Sequence, residues 1–491
     1  MVRCRRISAR LIVVVLVRQD YKICRMNRIV IIGGGISGLA AAHRVLELNQ
    51  AAQVTVLEAS DRLGGTIQTE YRDGFLIERG PDSFISEKPH AIALAKRLGI
   101  ESQLIQTNEE YRRSFIVRDG RLRAVPEGFQ LMAPSRMWPF ITSDIFSLPG
   151  KVRMAADLLL PRKSTNGSTD ESLASFVRRR LGEEALVRMA QPMVGGIYTA
   201  DPETLSLRAT LPRFLDMEQK HRSLILAMLR QGKAQKTGTS GARYSLFLSF
   251  NRGMQMLVDP LTRINADLRV KTRAQRLTFD HGWTISTDQG EEIKADGVCL
   301  AVPAYVAAAL LSETHEQLAQ KLREIKYAST ATINFGYRRA AIAHPLNGFG
   351  FVVPFVEKRS LIACTFSSVK FAGRAPDGRV LLRAFAGGAL QPEIFALDEA
   401  EMASRVEADL RELLGISEDP LFVEVAKWER SMPQYEVGHL ERVEEIERMT
   451  SELPGLTLSG NAYRGAGIPD CVRSGEASAA ECLNPVGVGL H

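Results

Sequence analysis

The sequence has no run of about 18 consecutive apolar residues, so it offers no helix long enough to cross a bilayer. Its six cysteines form no Cys-x-x-Cys pair, which disfavours a zinc site or a disulfide framework and indicates a reducing compartment. No nucleic-acid recognition motif accompanies the scattered lysines and arginines. We therefore expect no metal, no nucleic-acid partner and a cytoplasmic location.

Length and charge set broad bounds on what the chain does. The 491 residues exceed what one hydrophobic core holds, so the length predicts two or three domains. The net charge of +7 favours anionic partners, such as an acidic lipid surface or a substrate that carries carboxylates.

The first 25 residues do not resemble the start of a domain. Four arginines precede an apolar run of seven residues, Leu11–Val17, and no small-residue cleavage site follows it. Met26 stands directly before the first predicted strand. We interpret residues 1–25 as a spurious or disordered extension; the alternative is a short segment that anchors the chain to a surface.

A strand–turn–helix–strand pattern near the N-terminus predicts a dinucleotide site. The apolar run Arg28–Ile32 predicts a buried parallel strand, and Gly33–Gly38 fits Gly-x-Gly-x-x-Gly before a helical pattern. A second predicted strand, Gln53–Leu57, ends at Glu58. The helix N-terminus attracts phosphates, and Glu58 can accept hydrogen bonds from ribose hydroxyls while repelling a 2′-phosphate. The pattern therefore disfavours NADP as the resident nucleotide.

The residues after Glu58 distinguish FAD from NAD. Arg62-Leu63-Gly64-Gly65-Thr66 and Gly80-Pro81-Asp82-Ser83 resemble segments of the flavin-containing amine oxidase superfamily, which includes protoporphyrinogen oxidases and carotenoid desaturases. The resemblance implies that the first segment runs along the flavin phosphates and ribityl chain. It also implies that the Gly-Pro turn lies against the isoalloxazine.

A C-terminal segment completes the implied flavin site. Leu456–Gly460 predicts a strand, Asn461–Pro469 a glycine-rich turn and Asp470–Cys482 a helix, whose N-terminus in the superfamily points at the flavin pyrimidine. The cofactor-binding residues that motif and resemblance imply are Gly33, Gly34, Gly35, Ile36, Ser37, Gly38, Glu58, Ala59, Arg62, Gly65, Thr66, Gly80, Pro81, Asp82, Ser83, Ala274, Trp428, Gly460, Ala466, Gly467 and Ile468.

Seven segments narrow the resemblance to the oxygen-dependent protoporphyrinogen oxidase family. They occur in family order, and they are Leu57–Gly65, Gly80–Phe84, Gly195–Pro202, Gly348–Pro354, Phe385–Gly388, Pro433–His439 and Gly467–Gly475. The resemblance implies six-electron oxidation of protoporphyrinogen IX in haem biosynthesis, with dioxygen reduced to hydrogen peroxide. It also implies contact with the cytoplasmic face of a membrane, transfer to a ferrochelatase and a homodimer.

The implied fold class is mixed α/β. A Rossmann-like FAD domain is joined to a substrate-binding sheet domain and a helical, membrane-contacting domain. The FAD domain is expected in three pieces, with the other domains between them. The expected order after the extension is 26–105 (FAD), 106–232 (helical), 244–302 (FAD), 303–430 (substrate) and 431–485 (FAD).

Candidate substrate contacts come from the same resemblance, because the chemistry belongs largely to the flavin. Pocket walls are implied at Gly196, Val352, Thr365 and Phe385. The substrate's propionates need a cation, and a one-residue slip in spacing puts Arg113 at the family's arginine, whereas strict spacing puts Ser114 there.

One carboxylate is a catalytic candidate. Asp82 stands where other family members carry Arg or Asn, and it could steady a pyrrole N–H or a developing cation, or cap the following helix.

Three alternative functions remain at this point. Coproporphyrinogen III, which carries four propionates, could be the substrate. The chain could be a flavin amine or carotenoid oxidoreductase. It could also bind flavin without turnover, since the motifs specify binding more firmly than reaction.

Overall fold

A computed structural model describes residues 27–163, 170–234 and 247–483 of the chain. The extension predicted at residues 1–25 lies outside the described residues. Within the described residues, no helix is both long and apolar enough to span a membrane.

A five-stranded parallel sheet forms the nucleotide half of the molecule. Its strands are, in spatial order, Asp267–Arg269, Gln53–Leu57, Arg28–Ile32, Gly297–Leu300 and Leu456–Leu458. The central strand is apolar because helices and further strands cover both faces of the sheet. Three pieces of the chain, far apart in sequence, thus build one sheet.

Two helices cross closely on this sheet. Helix Ile36–Leu48 follows the first strand, and helix Ile468–Leu483 packs across it. A Cβ atom on Gly475 would lie 2.1 Å from the Ser37 carbonyl oxygen, so the crossing requires glycine. The last segment of the chain is thereby fixed beside the first glycine turn.

A seven-stranded sheet forms the second half. Its spatial order is Phe422–Pro433, Tyr327–Arg338, Arg379–Gly387, Ala363–Phe366, Gly350–Val352, Phe115–Arg118 and Arg121–Ala124. One face packs its apolar side chains on helix Glu399–Leu414. We call the other face, which carries Val352, Thr365, Phe385 and Trp428, the open face.

Residues 137–234 form a helical region beside the open face. Its helices are Met137–Thr142, Leu148–Ala155, Leu173–Arg180, Glu183–Ala185, Gln191–Tyr198, Leu207–Thr210, Pro212–His221 and Leu224–Ala234, with a π-helical turn at Leu186–Ala190. Its core contacts Ile116 and Val352, so it covers one end of the open face. Residues 115–124, expected within the helical domain, instead supply two strands of the sheet because Phe351 and Val352 pair with Phe115 and Ile116.

Smaller elements complete the architecture. The remaining strands are Thr69–Arg72, Phe75–Glu78, Phe84–Ile85, Leu104–Gln106, Phe129–Gln130, Ala133–Pro134, Phe247–Phe250, Ala274–Phe279, Trp283–Thr287 and Glu292–Ala295. The remaining helices are His90–Arg97, Ala304–Leu311, Glu316–Arg323, Ser367–Lys370, Pro392–Ala396 and His439–Ser451.

Candidate active site

The first glycine turn is shaped by backbone that leaves no room for a side chain. Gly33 has φ of +111°, and a Cβ atom there would lie 2.3 Å from the Ala301 carbonyl oxygen. A Cβ atom on Gly38 would lie 1.9 Å from the Gly33 carbonyl oxygen. Gly35 precedes helix Ile36–Leu48 and gives it no side-chain cap, so the first N–H groups of that helix remain for a phosphate.

A second glycine segment lies directly across from the first. Gly35 and Gly64 form a parallel β-bridge, and a Cβ atom on Gly65 would lie 3.2 Å from the Gly35 Cα atom. Arg62 holds this segment by donating from Nη1 to the Gly65 carbonyl at 2.6 Å and from Nη2 to the Ile67 carbonyl at 2.7 Å. The two segments form a cradle of bare backbone for a pyrophosphate.

Glu58 lies at one end of this cradle. Its carboxylate accepts hydrogen bonds from the backbone N–H groups of Gly34 at 2.7 Å and Ser60 at 2.8 Å. These bonds orient the carboxylate while leaving oxygen lone pairs for ribose hydroxyls. Ala59 follows Glu58, and Ala274 begins a strand two residues after Thr272, whose N–H donates to the Glu58 carbonyl. Both residues therefore lie at the adenosine end of the predicted site.

The Gly80-Pro81 turn lies at the other end. A Cβ atom on Gly80 would lie 1.6 Å from the Thr66 carbonyl oxygen, so this turn packs against the second glycine segment. Trp428 on the open face donates from Nε1 to the Arg79 carbonyl at 3.0 Å. Arg383, on the same face, donates to the Gly80 carbonyl. The turn thus joins the nucleotide cradle to the seven-stranded sheet.

Both carboxylate oxygens of Asp82 accept hydrogen bonds from neighbouring side chains. Lys370 Nζ lies 2.9 Å from Oδ2, and Ser83 Oγ donates to Oδ1 at 2.7 Å. Burial alone would raise the pKa of Asp82, but the charges of Lys370 and Arg383, with the hydrogen bonds, hold it well below the usual range. Asp82 is therefore a fixed anion at neutral pH and not a proton donor.

Lys370 and Arg383 were missed by the sequence analysis. Arg383 did leave a signal, since it is the one charged residue inside the apolar run Val380–Ala386, and it is buried. Lys370 is the last residue of the short helix Ser367–Lys370, and no periodicity or motif marks it.

The motif Pro433–His439 holds the C-terminal glycine turn in place. The Tyr435 hydroxyl donates to the Asn461 carbonyl at 2.5 Å and accepts from the Gly465 N–H at 3.0 Å. His439 stacks on Tyr435 with ring centroids 4.1 Å apart, and burial lowers the pKa of His439 to about 4. The motif is therefore a neutral structural clamp on the turn.

The turn that this clamp holds carries the last predicted cofactor residues. Gly460 has φ of +123°, and a Cβ atom there would meet no atom within 4 Å, so its backbone borders open space. Ala466 and Gly467 directly precede Ile468, the first residue of the C-terminal helix. That helix packs on Ser37 through Gly475, which places its N-terminal end near the first glycine turn.

The predicted substrate residues lie together on the open face. Val352 pairs with Ala363, which also pairs with Phe385, and Thr365 lies two residues further along the same strand. Gly196, from the helical region, lies opposite, because a Cβ atom there would lie 3.7 Å from Val352 Cγ1. Four predicted residues from four elements thus border one space.

Two neighbouring residues, Arg113 and Ser114, are the alternatives for the predicted propionate anchor. Arg113 is exposed, and its carbonyl accepts from the Phe349 N–H at 2.8 Å. Ser114 is buried, and its hydroxyl has no hydrogen-bond partner within the part of the chain that the structure describes. Neither position carries a buried cation directed at the open face.

The cradle, Glu58 and the Gly80 turn together fit an extended dinucleotide. Its pyrophosphate would lie at the paired glycine segments, its adenosine ribose at Glu58, and its reactive ring between the Gly80 turn and the open face. Such an arrangement is typical of a dinucleotide-dependent oxidoreductase.

Comparisons with known proteins identify the family. The family model "Flavin containing amine oxidoreductase" matches residues 36–483. The chain is 36% identical over 468 residues to the coproporphyrinogen III oxidase of Bacillus subtilis, covering 93% of this chain and 98% of that protein. It is 31% identical to the chloroplastic protoporphyrinogen oxidase of Nicotiana tabacum, covering 92% and 84% respectively.

A solved structure agrees with these sequence matches. A crystal structure from Exiguobacterium sp. 255-15, described provisionally as a protoporphyrinogen oxidase, superposes with a TM-score of 0.83 at 31% identity, covering 93% of this chain and 98% of that one. The chain belongs to the family of flavin-containing amine oxidoreductases. It is an FAD-dependent oxidase of mixed α/β fold, which confirms the predicted cofactor and fold class. The membrane contact of the helical domain stays a prediction.

Proposed function

We propose that this protein oxidises protoporphyrinogen IX to protoporphyrin IX, a six-electron reaction of haem biosynthesis. The observation that carries the proposal is the similarity, over about nine-tenths of the chain, to porphyrinogen oxidases from a bacterium and a plant. The open face supports it, since a flat site lined by Val352 and Phe385 suits a flat apolar macrocycle.

The protein's contribution is to bind, orient and exclude water. Bound FAD supplies two-electron oxidation, so three cycles account for six electrons, with one dioxygen reduced to hydrogen peroxide in each cycle. The macrocycle would lie between Gly196 and the open face, with a bridge carbon towards the Gly80 turn. Asp82, held as an anion by Lys370 and Arg383, would lower the net positive charge beside the macrocycle as hydride leaves it.

Coproporphyrinogen III is the second candidate substrate. The Bacillus relative of that name is 36% identical to this chain, against 31% for the tobacco protoporphyrinogen oxidase. The two substrates share the macrocycle and differ in the number of propionates, so the same open face serves either of them.

A fluorescence assay separates these proposals. Purified holoenzyme is mixed in air with each porphyrinogen, and porphyrin fluorescence and hydrogen peroxide are followed together. We expect about three peroxides per porphyrin, as the electron count requires. Faster turnover of coproporphyrinogen III would select the second candidate, and turnover of amines without porphyrin formation would reject both.

We also propose peripheral contact with the cytoplasmic face of a membrane. The helical region exposes Trp138 and Leu148 at 75% each and Leu159 at 82%, and the exposed cation Arg162 follows Leu159 by three residues. Large apolar side chains next to a cation suit an anionic lipid interface.

The double variant L148S/L159S should float less with phosphatidylglycerol vesicles than the parent. The control is L48S, which changes an exposed leucine on the nucleotide half, and equal loss in both would contradict the proposal.

Transfer of the porphyrin to a ferrochelatase and assembly as a homodimer complete the proposal. The family resemblance supports both. Analytical ultracentrifugation of the holoenzyme, alone and with a ferrochelatase, measures the two associations, and a monomer that shows no complex would reject them.

A further inference from the structure

Three charged side chains surround the Gly80 turn, and we call Asp82, Lys370 and Arg383 the turn cluster. Lys370 Nζ lies 2.9 Å from Asp82 Oδ2 and 3.1 Å from Ser83 Oγ. Arg383 Nη1 lies 3.9 Å from the same Asp82 oxygen, and this guanidinium also donates to the Gly80 carbonyl. Both cations reach the turn from the seven-stranded sheet half of the molecule.

The turn cluster carries an unbalanced charge. One carboxylate faces two cations, which leaves a net charge of +1. The side chains are shielded from water, since Arg383 is 4% exposed and Lys370 12% exposed. A charge in such surroundings acts over a longer range than one in water, because neither solvent nor salt screens it fully.

Two further charged groups adjoin the turn cluster without cancelling this charge. Arg374 is buried and adds another positive charge to the net charge of +1. Glu78 is buried too, and burial raises its pKa to about 7. The net charge of the five groups therefore lies between +1 and +2 around neutral pH.

The position of the turn cluster follows from backbone contacts. A line of contacts starts in the cradle at Gly35, continues through Gly65 and Thr66, and ends at the Gly80 turn, each segment touching the next. Glu58 lies at the opposite end of this line. The flavin ring of FAD must therefore extend towards the turn, away from Glu58. Arg383 Nε, which has no acceptor among the residues that the structure describes, is buried at that end.

We propose that the turn cluster is an electrostatic device that raises the reduction potential of the bound flavin. Reduction adds negative charge to the flavin ring, and a fixed positive charge close by stabilises the reduced form more than the oxidised form. Asp82 sets the size of this effect by neutralising one of the two cations. Lys370 and Arg383 thus act on the flavin through the field of their charges and not as proton carriers.

The test measures the midpoint potential of FAD in the purified holoenzyme by equilibration with a reference dye. The variant K370Q keeps a donor to Asp82 but removes one positive charge. We expect its reduced flavin to be disfavoured at least tenfold, which is about 30 mV for a two-electron couple. The double variant K370Q/D82N restores the net charge of +1 and should return the potential towards that of the parent.

The matched control is K427Q on the same sheet. Lys427 lies over the Phe395 ring, as Lys370 lies over Phe371, but its strand position pairs with Ala331 on the opposite, buried face. An equal shift in K370Q and K427Q, or a double variant that stays as low as K370Q, would overturn the proposal. If K370Q does not fold, D82N alone should raise the potential, and a potential that stays the same or falls would overturn it.

The measurement needs no substrate. It rests on the flavin site alone, so it stays valid if the protein turns over neither porphyrinogen. A failure of the proposed porphyrinogen reaction and a failure of this inference are therefore distinguishable.

Discussion

The nucleotide cradle and the open face are built in different ways, although they border the same site. In the cradle, the constraint is backbone against backbone, as at Gly38, where a Cβ atom would lie 1.9 Å from the Gly33 oxygen. On the open face, Val352, Thr365 and Phe385 come one from each of three strands, and cross-strand register brings them together. The glycines of the cradle thus lie within about 50 residues of sequence, whereas the residues of the face come together only in the completed sheet.

This difference determines how each region should respond to substitution. At Gly33 and Gly38 only glycine fits, because the nearest atoms are backbone and cannot move aside as a side chain can. A residue on the open face borders free space, so substitution should change what binds and leave the fold intact. The largest effects on the fold are therefore expected in the cradle and the smallest on the open face.

The largest effect is expected for Gly38→Ala. The added Cβ atom clashes with a carbonyl oxygen that is itself fixed in the turn, so we expect a loss of at least about 3 kcal/mol of stability and loss of bound FAD. The control is Gly282→Ala, where the nearest atom to a Cβ would be 3.7 Å away. Thermal unfolding and the absorbance of bound flavin give both readouts, and a yellow, stable Gly38→Ala protein would break the contrast.

Glu58→Ala should weaken FAD binding with less effect on stability. The substitution removes the proposed ribose acceptor and leaves the Gly34 and Ser60 N–H groups without their carboxylate. A lost charge-assisted hydrogen bond costs roughly 1.5–3 kcal/mol, which raises the FAD dissociation constant about 10- to 150-fold.

Asp61→Ala serves as the charge-matched control for Glu58, since Asp61 is exposed in the same loop. Fluorescence titration of the apoprotein with FAD measures both variants. Equal FAD affinity in Glu58→Ala and the parent would contradict the ribose assignment, while turnover at saturating FAD should stay close to that of the parent.

The same contrast explains what could be predicted from the sequence. The strands Arg28–Ile32 and Gln53–Leu57 have the predicted bounds, because an apolar run between turn residues defines a buried parallel strand locally. The C-terminal helix begins two residues before the predicted Asp470, within the usual uncertainty of a helix start. These elements depend on neighbours in the sequence, as the cradle does.

What the sequence could not provide depends on distant pairing. Phe115–Arg118 joins the seven-stranded sheet through a partner more than 200 residues away. Asp119-Gly120 marks a hairpin locally, but nothing local shows which sheet that hairpin joins. Lys370 and Asp82 are 288 residues apart in the sequence, so a pattern around one residue does not predict its pairing with the other. Of the charged residues around the Gly80 turn that the sequence did not predict, only Arg383 is recognisable from the sequence, because it is a charged residue inside an apolar strand.

Tyr435→Phe tests the clamp on the C-terminal glycine turn. Its hydroxyl donates to the Asn461 carbonyl and accepts from the Gly465 N–H, so both groups would lose a hydrogen-bond partner. We expect a loss of about 1–3 kcal/mol of stability and faster FAD release. Tyr463→Phe is the matched control, because that buried hydroxyl has no hydrogen-bond partner among the described residues. An equal change in stability for the two variants would show that Tyr435 acts by packing alone.

The smallest effect on the fold is expected for Gly196→Leu, on the helical side of the open face. Gly196 lies in helix Gln191–Tyr198 and is exposed, and leucine favours a helix more than glycine does, so the folded state should not suffer. Its side chain would extend towards Val352, since the Cβ atom alone comes within 3.7 Å of Val352 Cγ1. A macrocycle bound there would lose part of its site, and we expect KM for the porphyrinogen to rise roughly tenfold, about 1.4 kcal/mol. FAD affinity should stay unchanged, because the cradle is built from other segments. Gly282→Leu makes the same change away from the face and should leave KM unchanged. If Gly196→Leu instead released FAD while KM stayed constant, the open face would belong to the cofactor site, and the division between the two regions would be wrong.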